Sequence, residues 1–212
     1  MFVTFEGIEG SGKSAHLARL VAALRKRGRT VTATREPGGT PVGQHIRRIL
    51  TDPTAPPLSA MAELLLYLAD RAQHVHETIQ PAIAAGHIVL CDRFSDSTLA
   101  YQGYARGVDL TTIRRLDAIA RDGSSPDLTF LLSCPVSVGL ARTRTRQTGS
   151  VREDRFELEP EAFHERVQAG LLELARAEPA RFVVLDTVRP VEEVEEEILA
   201  ESLRRIRSLE PV

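Results

Sequence analysis

Gly7-Ile8-Glu9-Gly10-Ser11-Gly12-Lys13-Ser14 follows the apolar run Phe2–Glu6 and opens an amphipathic stretch that reaches about Arg27, with Gly28 as a stop. The octapeptide satisfies G-x-x-x-x-G-K-[ST], and a strand before it with a helix after it is the context this pattern requires. Glycines let the backbone curl until successive N–H groups point at phosphate oxygens. Lys13 can then span toward the β- and γ-phosphates of ATP, Ser14 offers a hydroxyl to Mg²⁺, and the helix N-terminus adds partial positive charge. Gly7, Glu9, Gly10, Ser11, Gly12, Lys13 and Ser14 are therefore the candidate nucleotide-binding loop, with Lys13 a catalytic cation and Ser14 a metal ligand.

Along the rest of the chain, short β-branched runs alternate with longer amphipathic stretches, the pattern of parallel strands joined by helical crossovers. Strands are predicted near Phe2–Glu6, Thr30–Thr34, Ile88–Cys91, Leu128–Ser133 and Phe182–Leu185. Helices fill the intervals near Val42–Leu50, Ser59–Ala85 with a break at Pro81, Ser97–Tyr104, Leu110–Arg121, Val136–Arg146, Glu161–Ala177 and Val191–Ser208. The fold class is α/β, a P-loop NTPase fold, and 212 residues suit a single domain.

Bulk properties narrow the partners. Lys plus Arg (27) against Asp plus Glu (29) leaves a net charge of −2, so no basic field draws the chain to nucleic acid or anionic membrane. With no leader and no long apolar span in the sequence, a cytoplasmic location is expected. Cys91 and Cys134 lie inside apolar runs and read as buried thiols. The histidines, His74-x-His76 included, supply no defensible ligand set for a metal.

Val89-Leu90-Cys91-Asp92-Arg93 is an apolar strand ending in an acid. An Asp there is commonly a turn or cap, but beside a phosphate-binding loop Asp92 becomes a candidate Mg²⁺ ligand. Arg93 places a cation at the same edge, and Arg35-Glu36-Pro37-Gly38-Gly39-Thr40 brings another to the end of the second strand. Arginine's planar fork can hold two phosphate oxygens, so Arg35 and Arg93 could converge on one anion. A guanine-specific switch would use an Asn-Lys-x-Asp loop, and the chain contains no asparagine.

Phe5-Glu6-Gly7 into the loop, Thr34–Thr40, Ala69-Asp70-Arg71-Ala72-Gln73-His74 and Asp92-Arg93-Phe94-Ser95-Asp96-Ser97-Thr98-Leu99-Ala100-Tyr101-Gln102-Gly103 together resemble bacterial thymidylate kinase, in order, over essentially the whole chain. The resemblance implies a five-stranded parallel sheet flanked by helices, a mobile Arg-rich lid at approximately 142–157 and a homodimer. It also implies transfer of the ATP γ-phosphoryl group to dTMP, giving dTDP for dTTP synthesis. Tyr67 resembles the aromatic residue that stacks on thymine, with core packing as the alternative. Arg71, one turn later, would reach the base O4, and a ligand would supply the polar partner such a buried arginine needs. Thr98 and Gln102 would lie near the base, Tyr101 would crowd the sugar, and Ser97 is a candidate that could equally be a helix cap. Glu9 would lie by the acceptor's sugar and phosphate, and Glu36 would orient the phosphate-binding arginines. Arg142, Arg146 and Arg152 are the lid arginines expected to stabilise the transferring group, with Arg142 and Arg146 sharing a helix face and Arg144 pointing elsewhere. Asp154-Arg155-Phe156-Glu157 resembles the segment that closes the lid. Two departures from the family pattern are Ala15, in place of a hydroxyl residue, and Gln44, in place of Glu.

Overall fold

The computed structural model describes residues 1–146 and 155–209, with Arg146 and Leu209 described by backbone alone. Five parallel strands form one sheet: β1 (Phe2–Glu6), β2 (Val31–Arg35), β3 (Ile88–Asp92), β4 (Leu128–Ser133) and β5 (Phe182–Asp186), in spatial order β2-β3-β1-β4-β5. The order reverses at β1, so the crevice outside its C-terminal end is where this class of sheet takes ligands. Register carries the site: Arg35 of β2 pairs with Asp92 of β3, and Phe5 of β1 pairs with Asp92. The ends of three strands thus lie side by side at one edge.

Both faces of the sheet are covered, which is why the central strands read as continuous apolar runs. On one face Val3, Phe5, Leu90 and Phe130 pack with Leu17, Leu20 and Leu24 of α1 (Lys13–Lys26) and Val194 and Ile198 of α9 (Val191–Leu209). The opposite face is lined by a cluster that includes Leu64 and Leu68 of α3 (Ala60–His74), with α6 (Leu110–Arg121), α7 (Val136–Arg146) and α8 (Glu161–Ala177). The remaining helices are α2 (Pro41–Thr51), α4 (Gln80–Ala84) and α5 (Ser95–Thr98), and Arg155–Leu158 forms a short 3₁₀ turn. Thr40, Ser59 and Asp109 cap α2, α3 and α6 by accepting the backbone N–H three residues on.

The long helix expected over Ser59–Ala85 is instead α3, a wider π-helical turn at Val75–Ile79, and α4. The irregularity precedes Pro81 rather than sitting on it. Pro81 lies in the first turn of α4, where its missing N–H costs nothing. A second π turn, Leu99–Ala105, continues α5 and sets Tyr101 and Gln102 along its inner side, both buried. Cys91 and Cys134 are free and buried, as expected. Among the described residues no helix is long and apolar enough to cross a membrane, and no cluster of His, Cys, Asp and Glu could hold a metal ion by itself.

Candidate active site

The loop between β1 and α1 turns on Gly10, whose φ is 71°, and a Cβ there would stand 2.0 Å from the Gly139 carbonyl oxygen of α7. Only glycine meets both demands. Gly12 begins α1 with no side-chain cap, so the first N–H groups of the helix are open to an anion. Lys13 is buried with its ammonium donating to the carbonyls of Gly7 (3.0 Å) and Ile8 (2.7 Å). Burial, reinforced by Arg93, lowers Lys13 to about 8. Ser14 Oγ donates to Asp92 Oδ2, so the loop hydroxyl and the β3 carboxylate share one point at the cleft mouth. Two hard oxygen donors beside a phosphate loop fit Mg²⁺, which keeps waters and completes its shell with phosphate oxygens.

From this loop a cleft of about 890 Å³, open mouth included, runs along the ends of β2 and β3 toward α3. Arg35 and Arg93 both line it, with Arg35 exposed at its strand end. Arg93, with φ 69°, donates to the Gly7 carbonyl (2.9 Å), Ser97 Oγ (3.1 Å) and Glu9 Oε1 (3.0 Å), and lies 4.9 Å from the Tyr101 ring centroid. Glu9 also accepts from Tyr101 (2.6 Å) and pairs with His164 of α8 (3.1 Å). Burial alone would raise the Glu9 carboxyl, but Arg93, His164 and Lys13 hold it well below the usual range.

The far end of the cleft is built round Arg71. Its side chain is 1% exposed and donates to Glu36 Oε2 through Nε (2.9 Å) and NH2 (2.8 Å), to Asp117 Oδ1 (2.6 Å) and to Thr98 Oγ1 (3.0 Å). Burial opposes the charge, yet Glu36 and Asp117 push the guanidinium above its ordinary value. Two corrections follow. A ligand is not required to satisfy Arg71, because two carboxylates already do; and the side-chain partners of Glu36 among the described residues are Arg71 and His74 Nδ1 (2.9 Å), not Arg35 or Arg93. Thr98 hydrogen-bonds Arg71, and Ser97 Oγ donates to Glu6 Oε2 (2.5 Å). Gln102 donates to Glu63 Oε1 (2.9 Å). Tyr67, Arg71, Ser97, Thr98, Tyr101 and Gln102 all line the cleft.

Arg142 is not brought there. It donates to the Thr187 carbonyl (2.9 Å) beyond β5 and lines a separate shallow depression with Val138, Ala141 and Thr145. Arg144 is exposed. The Arg146 side chain, Arg152 and Asp154 lie outside the described residues. Arg155 of the lid-closing segment reaches Glu63 Oε2 (2.6 Å), and Phe156 covers the cleft, its ring 5.7 Å from Tyr101. Sequence reading missed Asp117, Glu63 and His164, which sit on helix faces with nothing nearby in sequence to single them out. Arg47 of α2 also lines the cleft and donates to the Pro37 carbonyl (3.0 Å); its place beside the Arg35–Thr40 loop was a usable signal.

A family model described as Thymidylate kinase matches residues 5–198. The chain belongs to the thymidylate kinase family. It is 55% identical over 195 residues to the thymidylate kinase of Trichlorobacter lovleyi, covering 91% of this chain and 92% of that one. The thymidylate kinase of Geotalea uraniireducens is 50% identical over 207 residues, covering 97% of each. A crystal structure of thymidylate kinase from Ehrlichia chaffeensis superposes with a TM-score of 0.76 at 32% identity, covering 95% of this chain and 98% of that chain. Family membership makes the chain a kinase that phosphorylates dTMP with ATP.

Proposed function

We propose that the chain transfers the γ-phosphoryl group of ATP directly to the 5′-phosphate of dTMP, giving dTDP and ADP for dTTP synthesis. The observation that carries this reading is one continuous cleft with Lys13, Arg35 and Arg93 at the phosphate end and Tyr67, Arg71 and Gln102 at the other. The acceptor phosphate has a second pKa of about 6, so at neutral pH it is already a dianion and needs no general base. One of its oxygens attacks the γ-phosphorus, the bond to the β–γ bridging oxygen breaks, and that electron pair leaves with ADP.

What the protein supplies is alignment and charge. Lys13 and the open N–H groups of α1 hold the β- and γ-phosphates, while Arg35 and Arg93 hold the acceptor phosphate against them. Glu9 and Tyr101 keep Arg93 in place from the protein side. Ser14 and Asp92 would hold Mg²⁺, which when bound neutralises charge on the donor phosphates. Tyr67 stacks on the base and Arg71 offers its remaining N–H to O4. Arg142, Arg146 and Arg152 belong to a lid at about 142–157, within a single kinase domain; Arg142 would have to leave Thr187 to join the phosphates. A homodimer is part of the same reading, supported by exposed Val42 and Ile49 on α2, Met61 and Leu65 on α3 and Ile119 on α6, since α3 packs on both α2 and α6. Cytoplasmic residence goes with these substrates.

The test is Mg²⁺-dependent ADP formation from ATP with dTMP, dUMP, dCMP, UMP and dGMP as acceptors. The reading expects fast turnover with dTMP and weaker turnover with dUMP. Preference for a purine or for dCMP would overturn the acceptor assignment while keeping the ATP site.

A further inference from the structure

We propose that Glu63 is a positioning residue that fixes which end of the Gln102 amide faces the nucleobase, so that the pocket selects a base carrying a proton on N3. The proposal rests on dTMP being the acceptor. Glu63 is 2% exposed and stands in the first turn of α3, where nothing in the phosphoryl transfer uses it. Three side chains converge on its carboxylate. Gln102 Nε2 (2.9 Å) and Arg106 Nε (3.3 Å) donate to Oε1, while Arg155 (2.6 Å) and Arg106 NH2 (3.4 Å) donate to Oε2. Arg106 is itself tied to Glu159 (2.6 Å), so the carboxylate cannot swing away.

A primary amide presents a donor at one end and an acceptor at the other, and either can be turned toward a ligand. A carboxylate clamped between guanidinium groups only accepts. Gln102 must therefore give Glu63 its NH₂, which leaves the carbonyl oxygen for the cleft that Gln102 lines. A carbonyl there pairs with the N3–H of thymine. It repels the bare N3 of cytosine, and a buried mismatch of that kind is costly.

Glu63→Gln changes the logic with little change of shape. The new side chain gives its single oxygen to the arginines, turns its own NH₂ to Gln102 and drives the Gln102 amide over, so the donor end faces the base. The experiment is kcat/KM for dTMP and dCMP in wild type, Glu63→Gln, Gln102→Ala and the double variant. The expected result is a fall of about tenfold or more in the dTMP:dCMP ratio for each single variant, with no further fall in the double. A merely structural lesion lowers both substrates in parallel and leaves the ratio alone; that outcome, or a further fall in the double variant, overturns the proposal. Should Glu63→Gln not fold, the wild-type dTMP complex labelled with ¹⁵N-glutamine decides. Proton contacts from the Gln102 NH₂ run to Arg106 if the proposal holds, and to the base if it fails. Wild-type enzyme that ignores dTMP overturns the acceptor assignment instead, whereas dTMP preference with an unchanged ratio overturns the Glu63 role alone.

Discussion

Arg71 can stand inside an apolar helix because Glu36 and Asp117 approach it from two other elements and together compensate its desolvation. Asp117→Ala should destabilise the fold by about 2–3 kcal/mol in denaturant unfolding, because it strands one guanidinium arm in the interior, whereas Asp117→Asn keeps an acceptor and should cost less. The Arg71 position was legible as a polar residue on an apolar stripe; its partners were not, since contacts across 35 and 46 residues leave no local trace. Lys13 makes a second prediction. With its folded-state value near 8, it is largely neutral at pH 9 until phosphates restore the charge, so ATP binding above pH 8 should take up a proton at this site. Calorimetric titrations in buffers of different ionisation enthalpy should show uptake at pH 9 that is absent in Lys13→Ala and at pH 6.5. That variant should also lose turnover by about 10²–10³ or more.

Among the elements, the contact between α7 and the glycine loop links the β4 side of the sheet to the ATP site. A Cβ on Gly139 would stand 2.5 Å from the Glu9 carbonyl oxygen and 3.1 Å from Ile8 Cδ1. Gly139→Ala should therefore push the loop out of shape, and nucleotide titration should show weakened ATP affinity with the fold retained; unchanged affinity would mean that α7 yields instead of the loop. Nothing in the sequence near Gly139 announced this, because Val136–Arg146 reads as an ordinary amphipathic helix. The glycine loop was legible for the opposite reason: its spacing, its strand and its helix are all local. Strand bounds were read to within a residue, while the π turns at Val75–Ile79 and Leu99–Ala105 were not, since their widening answers to packing rather than to any breaker residue.

For the whole molecule, buried carboxylates set the pH profile. Burial, then Asp96, raises Glu6 from 4.5 to about 7, and burial with Glu36 raises Asp70 from 3.8 to about 6. A raised acid contributes stability that is full below its unfolded value and is lost as pH rises through its folded one. Glu9 works in the other direction, its contribution present above 4.5 and lost only in acid. The melting temperature should therefore fall between pH 5.5 and 7.5, and Glu6→Gln should flatten that slope; a profile that rises over the same window would contradict the assignment. The five strands and their parallel sheet followed from the chain's apolar runs, while the order β2-β3-β1-β4-β5 did not, since strand neighbours distant in sequence leave no local trace. Of the arginines expected in the lid, Arg142 lies against Thr187, and Arg152 falls outside the described residues.

The most direct measurement is a single turnover with γ-³²P-labelled ATP and excess dTMP, quenched and resolved into nucleotides, phosphate and protein. Direct transfer predicts that label enters dTDP at the rate at which ADP appears, with none on the protein. Label in inorganic phosphate or on the chain, with dTDP unlabelled, would contradict it.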